Sequence, residues 1–142
     1  MTYAITFTIP GEPVAKGRPR SFVRGGHVAH YTPEKTARYE NLVKLAAQQA
    51  MAGRLPLEGA VYLVVRASMG IPVSWSVKRR IAAASGTVTP TKRPDLDNIV
   101  KAVKDGLNGV AWRDDAQVIE LHAIKRYSAT PSVYVQVMEA PI

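Results

Sequence analysis

Cysteine is missing from all 142 residues. That excludes disulfides, zinc–thiolate sites and thiol nucleophiles together. No apolar run approaches the roughly 18 residues that a membrane-spanning helix needs, so no membrane partner is expected. The first residues lack the basic-then-apolar order of a secretory signal, and a cytoplasmic location is the expectation. Internal repeats, low-complexity tails and linkers are absent too, and the length suits one domain over residues 1–142. Acidic residues are the minority: eleven Asp and Glu stand against nineteen Lys and Arg, for a formal charge of +8 and a pI near 10.0. A surface this basic attracts polyanions, nucleic acid first among them, although charge alone also describes a merely basic globular protein.

The scarce acid is concentrated. Residues 92–118 hold two carboxylate pairs, Asp95/Asp97 and Asp114/Asp115, separated by a short amphipathic stretch. Like charges gathered in a basic chain call for compensation, and hard oxygen ligands suit a divalent cation such as Mg²⁺. Pro94 disfavours a helical Arg93, so an extended approach is expected, with Asp95 and Asp97 on one side and Leu96 turned inward. Leu96, Ile99, Val100, Val103 and Leu107 then recur at helical spacing. Lys101 follows Asp97 by one turn on the same face. Gly106 and Gly109 weaken the helix end, and Asn108-Gly109 reads as a stop. The plainer reading makes Asp95 or Asp97 a helix cap and Lys101 a solvated neighbour. Caps explain one acidic pair but not both. Neighbours on an extended chain face opposite ways, so Asp114 is expected to support Asp115 or to cap rather than to share its role.

The rest of the chain frames this segment. Residues 2–9 alternate, with Tyr3, Ile5, Phe7 and Ile9 on one face of a strand. Residues 11–30 set Lys16, Arg18, Arg20 and Arg24 among glycines and prolines, which reads as a basic loop for phosphate contact or simply a solvated one. Phe22 and Tyr31 could stack on unpaired bases or anchor that loop. His27 and His30 have no companions for a metal site. A helix follows, capped by Thr32 with Pro33 in its first position, burying Tyr39, Leu42, Val43, Ala46 and Ala50 and ending at Gly53. Residues 59–68 read as a central strand and 75–84 as a short helix. Its Lys78, Arg79 and Arg80 radiate around the axis, so they cannot all meet one phosphate strand. The loop 85–94 delivers Lys92 and Arg93 to the acids. Residues 118–127 and 133–138 read as strands joined in an antiparallel hairpin. The expected class is α+β: one mixed sheet of about four strands with about three helices, in the order β-α-β-α-α-β-β.

The pattern Arg93-Pro94-Asp95-Leu96-Asp97-Asn98-Ile99, then Lys101-Ala102, Asp105, Leu107-Asn108-Gly109 and Asp114-Asp115-Ala116-Gln117-Val118 resembles the RusA family of crossover-junction endodeoxyribonucleases. The segments 13–20 and 31–35 resemble its phage-type branch, which prophages often carry. The resemblance implies a Mg²⁺-dependent Holliday-junction resolvase, with Mn²⁺ as a possible substitute, acting in DNA recombination and repair. It implies a homodimer that makes paired nicks in four-way DNA and uses no nucleotide cofactor. The family's three aspartates and lysine correspond to Asp95, Asp97, Asp115 and Lys101, the aspartates as metal ligands. Other readings stay open: a metal-dependent nuclease for flaps, forks or RNA; a junction-binding module without catalysis; and, against the shortness of the chain, a Mn²⁺-holding nucleotide-sugar enzyme.

Overall fold

The structure is a computed structural model that describes residues 4–17, 20–31 and 33–140; for Arg20, His30 and Tyr31 the backbone alone is described. Its main element is a four-stranded sheet in the order β1-β6-β4-β5. Strand β1 (Ala4–Pro10) buries Ile5 and Ile9, as its alternation requires, and runs antiparallel to β6 (Ser132–Glu139). Strand β4 (Val61–Gly70) lies inside, antiparallel to β6 and parallel to β5 (Val118–Ser128). Alternate residues of β4 and β6 are buried, so one face of the sheet is packed and the other stays partly open. On the open side Arg66 sits over the Tyr134 ring, 5.4 Å from its centre.

Helices α1 (Glu34–Met51) and α3 (Leu96–Leu107) cover the packed face. Tyr39, Val43, Ala47 and Met51 of α1 meet Ile99, Val103 and Leu107 of α3 and the valines of β4 and β6 in one core. The two helices approach closely at Gly106, where an added Cβ would lie 2.7 Å from the Val43 side chain and 2.8 Å from the Glu40 carbonyl oxygen. This glycine, expected only to weaken the helix end, is the next-to-last residue of α3 and also serves a helix crossing. The helix stops one residue later, with Asn108 extended and Gly109 at φ 81°. Helix α2 (Val77–Ala84) is capped by Ser76, whose hydroxyl accepts from the Arg79 N–H. Arg79 also stacks 3.7 Å above Trp75, which meets Tyr127 of β5 edge-on. Of the three consecutive basic residues it is the one with a packing role.

The α+β class, the three helices and the four-stranded mixed sheet agree with the sequence reading. Several details do not. The basic stretch is not wholly loop: β2 (Arg20–Arg24) and β3 (His27–Tyr31) form a small antiparallel hairpin. Its turn is Gly25-Gly26, both at positive φ, the two-residue turn that matches strand twist. The last two strands do not pair with each other. Strand β4 lies between them, and residues 129–131 cross over its C-terminal end. The Gly70 N–H is held there by the Glu12 carboxylate at 3.0 Å, and the Pro131 carbonyl accepts from Gly11 at 3.1 Å. In α1 the inward positions are Thr36, Tyr39, Val43, Ala47 and Met51, whereas Leu42 is 39% exposed. Pro33 occupies the cap position before the helix rather than its first turn, and the Thr32 cap lies outside the described residues. No described helix is long and apolar enough to cross a membrane.

Candidate active site

Helix α3 presents its apolar stripe to the core, so its opposite side carries Asp97, Lys101 and Lys104 outward. Asp95 sits at the N-cap position with extended backbone (φ −70°, ψ 141°), but its side chain makes no capping hydrogen bond. The plain cap reading therefore does not account for Asp95. Asp97 lies in the exposed first turn, and Lys101 follows one turn later. Residues 92–94 arrive as a bend, with a cis Arg93–Pro94 peptide, rather than as the extended run expected. That bend is pinned by a residue the sequence reading passed over. The Lys125 ammonium of β5 donates to the carbonyls of Lys92 at 2.9 Å and Pro94 at 3.0 Å. The only signal in the sequence was a lysine set in a strand.

The second acidic pair is divided by local geometry. Asp114 caps a 3₁₀ turn at Asp115–Gln117, its carboxylate accepting from the Ala116 N–H at 2.9 Å. Gln117 closes the capping box by accepting from the Asp114 N–H, and its amide N–H₂ donates to the carbonyls of Leu57 and Gly59. This latch ties the turn to the chain before β4. Asp115 is half-buried, and its Oδ1 accepts from the indole N–H of Trp112 at 2.9 Å. Trp112 itself is fully buried, so Asp115 hangs from a fixed donor. Neither Trp112 nor Gln117 was singled out as a site residue, although both lie within three residues of Asp115.

Asp97, Lys101 and Asp115 line one cleft of about 610 Å³ between α3 and β5, with Lys104 and Asp105 beside them and Val100 and Leu121 on its apolar wall. No salt bridge joins Lys101 to Asp97 among the described residues. Asp95 lines a neighbouring cleft instead, together with Arg93. Among the described residues no three carboxylates or histidines stand close enough to form a ready metal cage. The donor chemistry still suits Mg²⁺, which keeps several waters and is held by one or two carboxylates plus substrate phosphate oxygens. Asp97 and Asp115 supply such a pair.

The basic residues are placed unequally. Lys16, expected at phosphate, is tied to Glu40 at 2.7 Å and Asp105 at 3.0 Å, so it braces α1 against α3. Burial works to lower its pKa, but the hydrogen bonds to Glu40 and Asp105 and their charges outweigh this and raise it above the ordinary lysine value. Arg24, Lys92 and Arg93 are exposed. Arg18 and the Arg20 side chain lie outside the described residues.

A cleft lined by Asp97, Asp105 and Asp115 with Lys101 and Lys104, on a chain of net charge +8, is of the class suited to cation-assisted chemistry on a polyanion. Over residues 10–138 the chain matches the family described as endodeoxyribonuclease RusA. An uncharacterized protein of Bacillus subtilis (strain 168), YqaN, is 41% identical over 137 residues, which cover 95% of this chain and 96% of that protein. The chain belongs to the RusA family of endodeoxyribonucleases.

Proposed function

We propose that the protein is a Mg²⁺-dependent endonuclease that resolves four-way DNA junctions by paired nicks, in recombination and repair. The observation that carries this reading is the meeting of Asp97, Lys101 and Asp115 in one cleft of a RusA-family chain. Asp97 and Asp115 would hold the cation, and Asp95, on the border of the adjacent cleft, would be the third carboxylate of the set. The cation, when bound, polarises the phosphodiester and lowers the pKa of the attacking water. Lys101 faces the charge that develops on the phosphoryl oxygens, where a fixed cation stabilises the transition state more than the ground state. Trp112 keeps Asp115 in one orientation, and Lys125 keeps the approach to Asp95 in place; both reduce the reorganisation needed for reaction. Exposed Arg24, Lys92 and Arg93 neutralise backbone phosphates.

Two symmetric nicks in a near two-fold substrate are made most simply by two copies of one site, so a homodimer is the working assembly. A panel of labelled four-way junction, flap, fork and linear duplex tests substrate choice. The reading expects metal-dependent cutting confined to the junction, stopped by chelation and restored by Mg²⁺. Equal cutting of flaps or forks would keep the nuclease and remove the junction preference. Tight junction binding without cutting in Mg²⁺ or Mn²⁺ would leave only a binding module.

A further inference from the structure

Asp95 and Asp97 are two residues apart, yet they border different clefts. The cleft beside Asp95 is the larger of the two, about 990 Å³. Val14, Pro33 and Pro94 give it apolar walls, Lys35 and Arg93 are exposed at its border, and Asn98 also lines it. Pockets that hold small organic ligands span about 300–1,000 Å³ and combine apolar walls with a few polar groups, as here.

Its walls are firmly built. The Lys16 N–H donates to the Asn98 carbonyl at 2.9 Å, which ties the segment 13–17 to the start of α3. The Gly17 N–H donates to the Thr36 hydroxyl at 3.0 Å, which ties it to α1. A Cβ at Gly17 would lie 2.9 Å from that hydroxyl and 3.1 Å from the Pro33 ring, so a side chain there would press on both. Asn98 spends its backbone carbonyl on the wall, while its side-chain amide makes no hydrogen bond among the described residues. A half-buried amide carries both a donor and an acceptor, the pair that reads a nucleobase edge. Phosphate contact alone would need only the cations.

We propose that this cleft receives an unstacked nucleotide of the DNA strand being cut, next to the phosphate held over Asp97 and Asp115. Its base lies against Val14, Pro33 and Pro94, Asn98 hydrogen-bonds its edge, and Arg93 and Lys35 meet the flanking phosphates. Enzymes that take a base out of the stack hold it in this way, between apolar walls with polar groups on its edge. The site would thus choose which base stands beside the nick. The inference rests on the nuclease reading, so the test separates the two.

The test places 2-aminopurine, which brightens when unstacked, at each position flanking the branch of a four-way junction, with binding measured in Ca²⁺. Wild-type protein is expected to brighten a position on the cut strand several-fold. Ala15 also lines the cleft, and Ala15→Trp, which would fill it, should bind the junction without that brightening and nick at least about tenfold more slowly in Mg²⁺. Asn98→Ala should reduce the brightening and relax the base preference at the nick. If no position brightens with wild type, or brightening persists in both variants, the subsite is overturned; should Ala15→Trp not fold, Asn98→Ala decides. Nicking without brightening sinks the subsite and keeps the nuclease. Brightening that depends on Asn98, without nicking, does the reverse.

Discussion

Trp112 is fully buried, yet its indole N–H donates to Asp115, which lines the cleft. Trp112→Phe keeps most of the packing and removes the donor. A carboxylate free to turn is a poorer ligand, so nicking should fall about ten- to a hundredfold while junction affinity in Ca²⁺ stays unchanged, as kinetics and gel shift would report. Lys16 is a second instance of a residue whose surroundings decide its work. Its pKa is raised in the fold, so its stabilising contribution is full below the unfolded value of about 10.5 and is lost as pH rises through the higher folded value. Urea titrations should therefore find Lys16→Met less stable than wild type at neutral pH, with the gap closing above that range. Tyr39 offers a contrast. Its hydroxyl is buried without a hydrogen-bond partner among the described residues, and burial pushes its pKa up. Tyr39→Phe should leave stability unchanged or raise it by up to about 1 kcal/mol, measured by thermal or urea unfolding.

At the scale of elements, α3 was the most legible part of the chain. Its apolar spacing and the glycine after Asn108 predict the observed span closely. Gly106 was not legible, because its reason is the backbone of α1 beside it. Gly106→Ala should favour the isolated helix by about 1 kcal/mol. The close contact with Val43 and Glu40 should outweigh this and lower overall stability by about 1–3 kcal/mol, read from the urea midpoint. The hairpin at 20–31 had a signal, Gly-Gly between two five-residue runs, that the density of basic residues obscured. The placement of β4 between β5 and β6 had none, since a short connection reads the same whether it turns back or crosses one strand. The candidate site was legible as residue types around residues 95–115. The cap at Asp114 was legible too, and the structure places it as expected. The rest of the division was not: Asp95 borders a second cleft and Lys16 goes to a helix brace, through contacts that leave no local pattern.

For the molecule as a whole, charge and site have separate duties. The excess of +8 draws DNA to the surface without selecting its sequence, so affinity should fall steeply with salt. Arg93→Ala should weaken junction binding and reduce the slope of log affinity against log salt by about one. On the proposed function the acidic cleft supplies the chemistry, which is the central claim. Its most direct test compares wild type with Asp97→Asn on one labelled, mobile four-way junction, with linear duplex of the same sequence as control. The account predicts paired symmetric nicks by wild type in Mg²⁺, none in the duplex, and none by Asp97→Asn despite undiminished junction binding. Nicking by Asp97→Asn at the wild-type rate would contradict it.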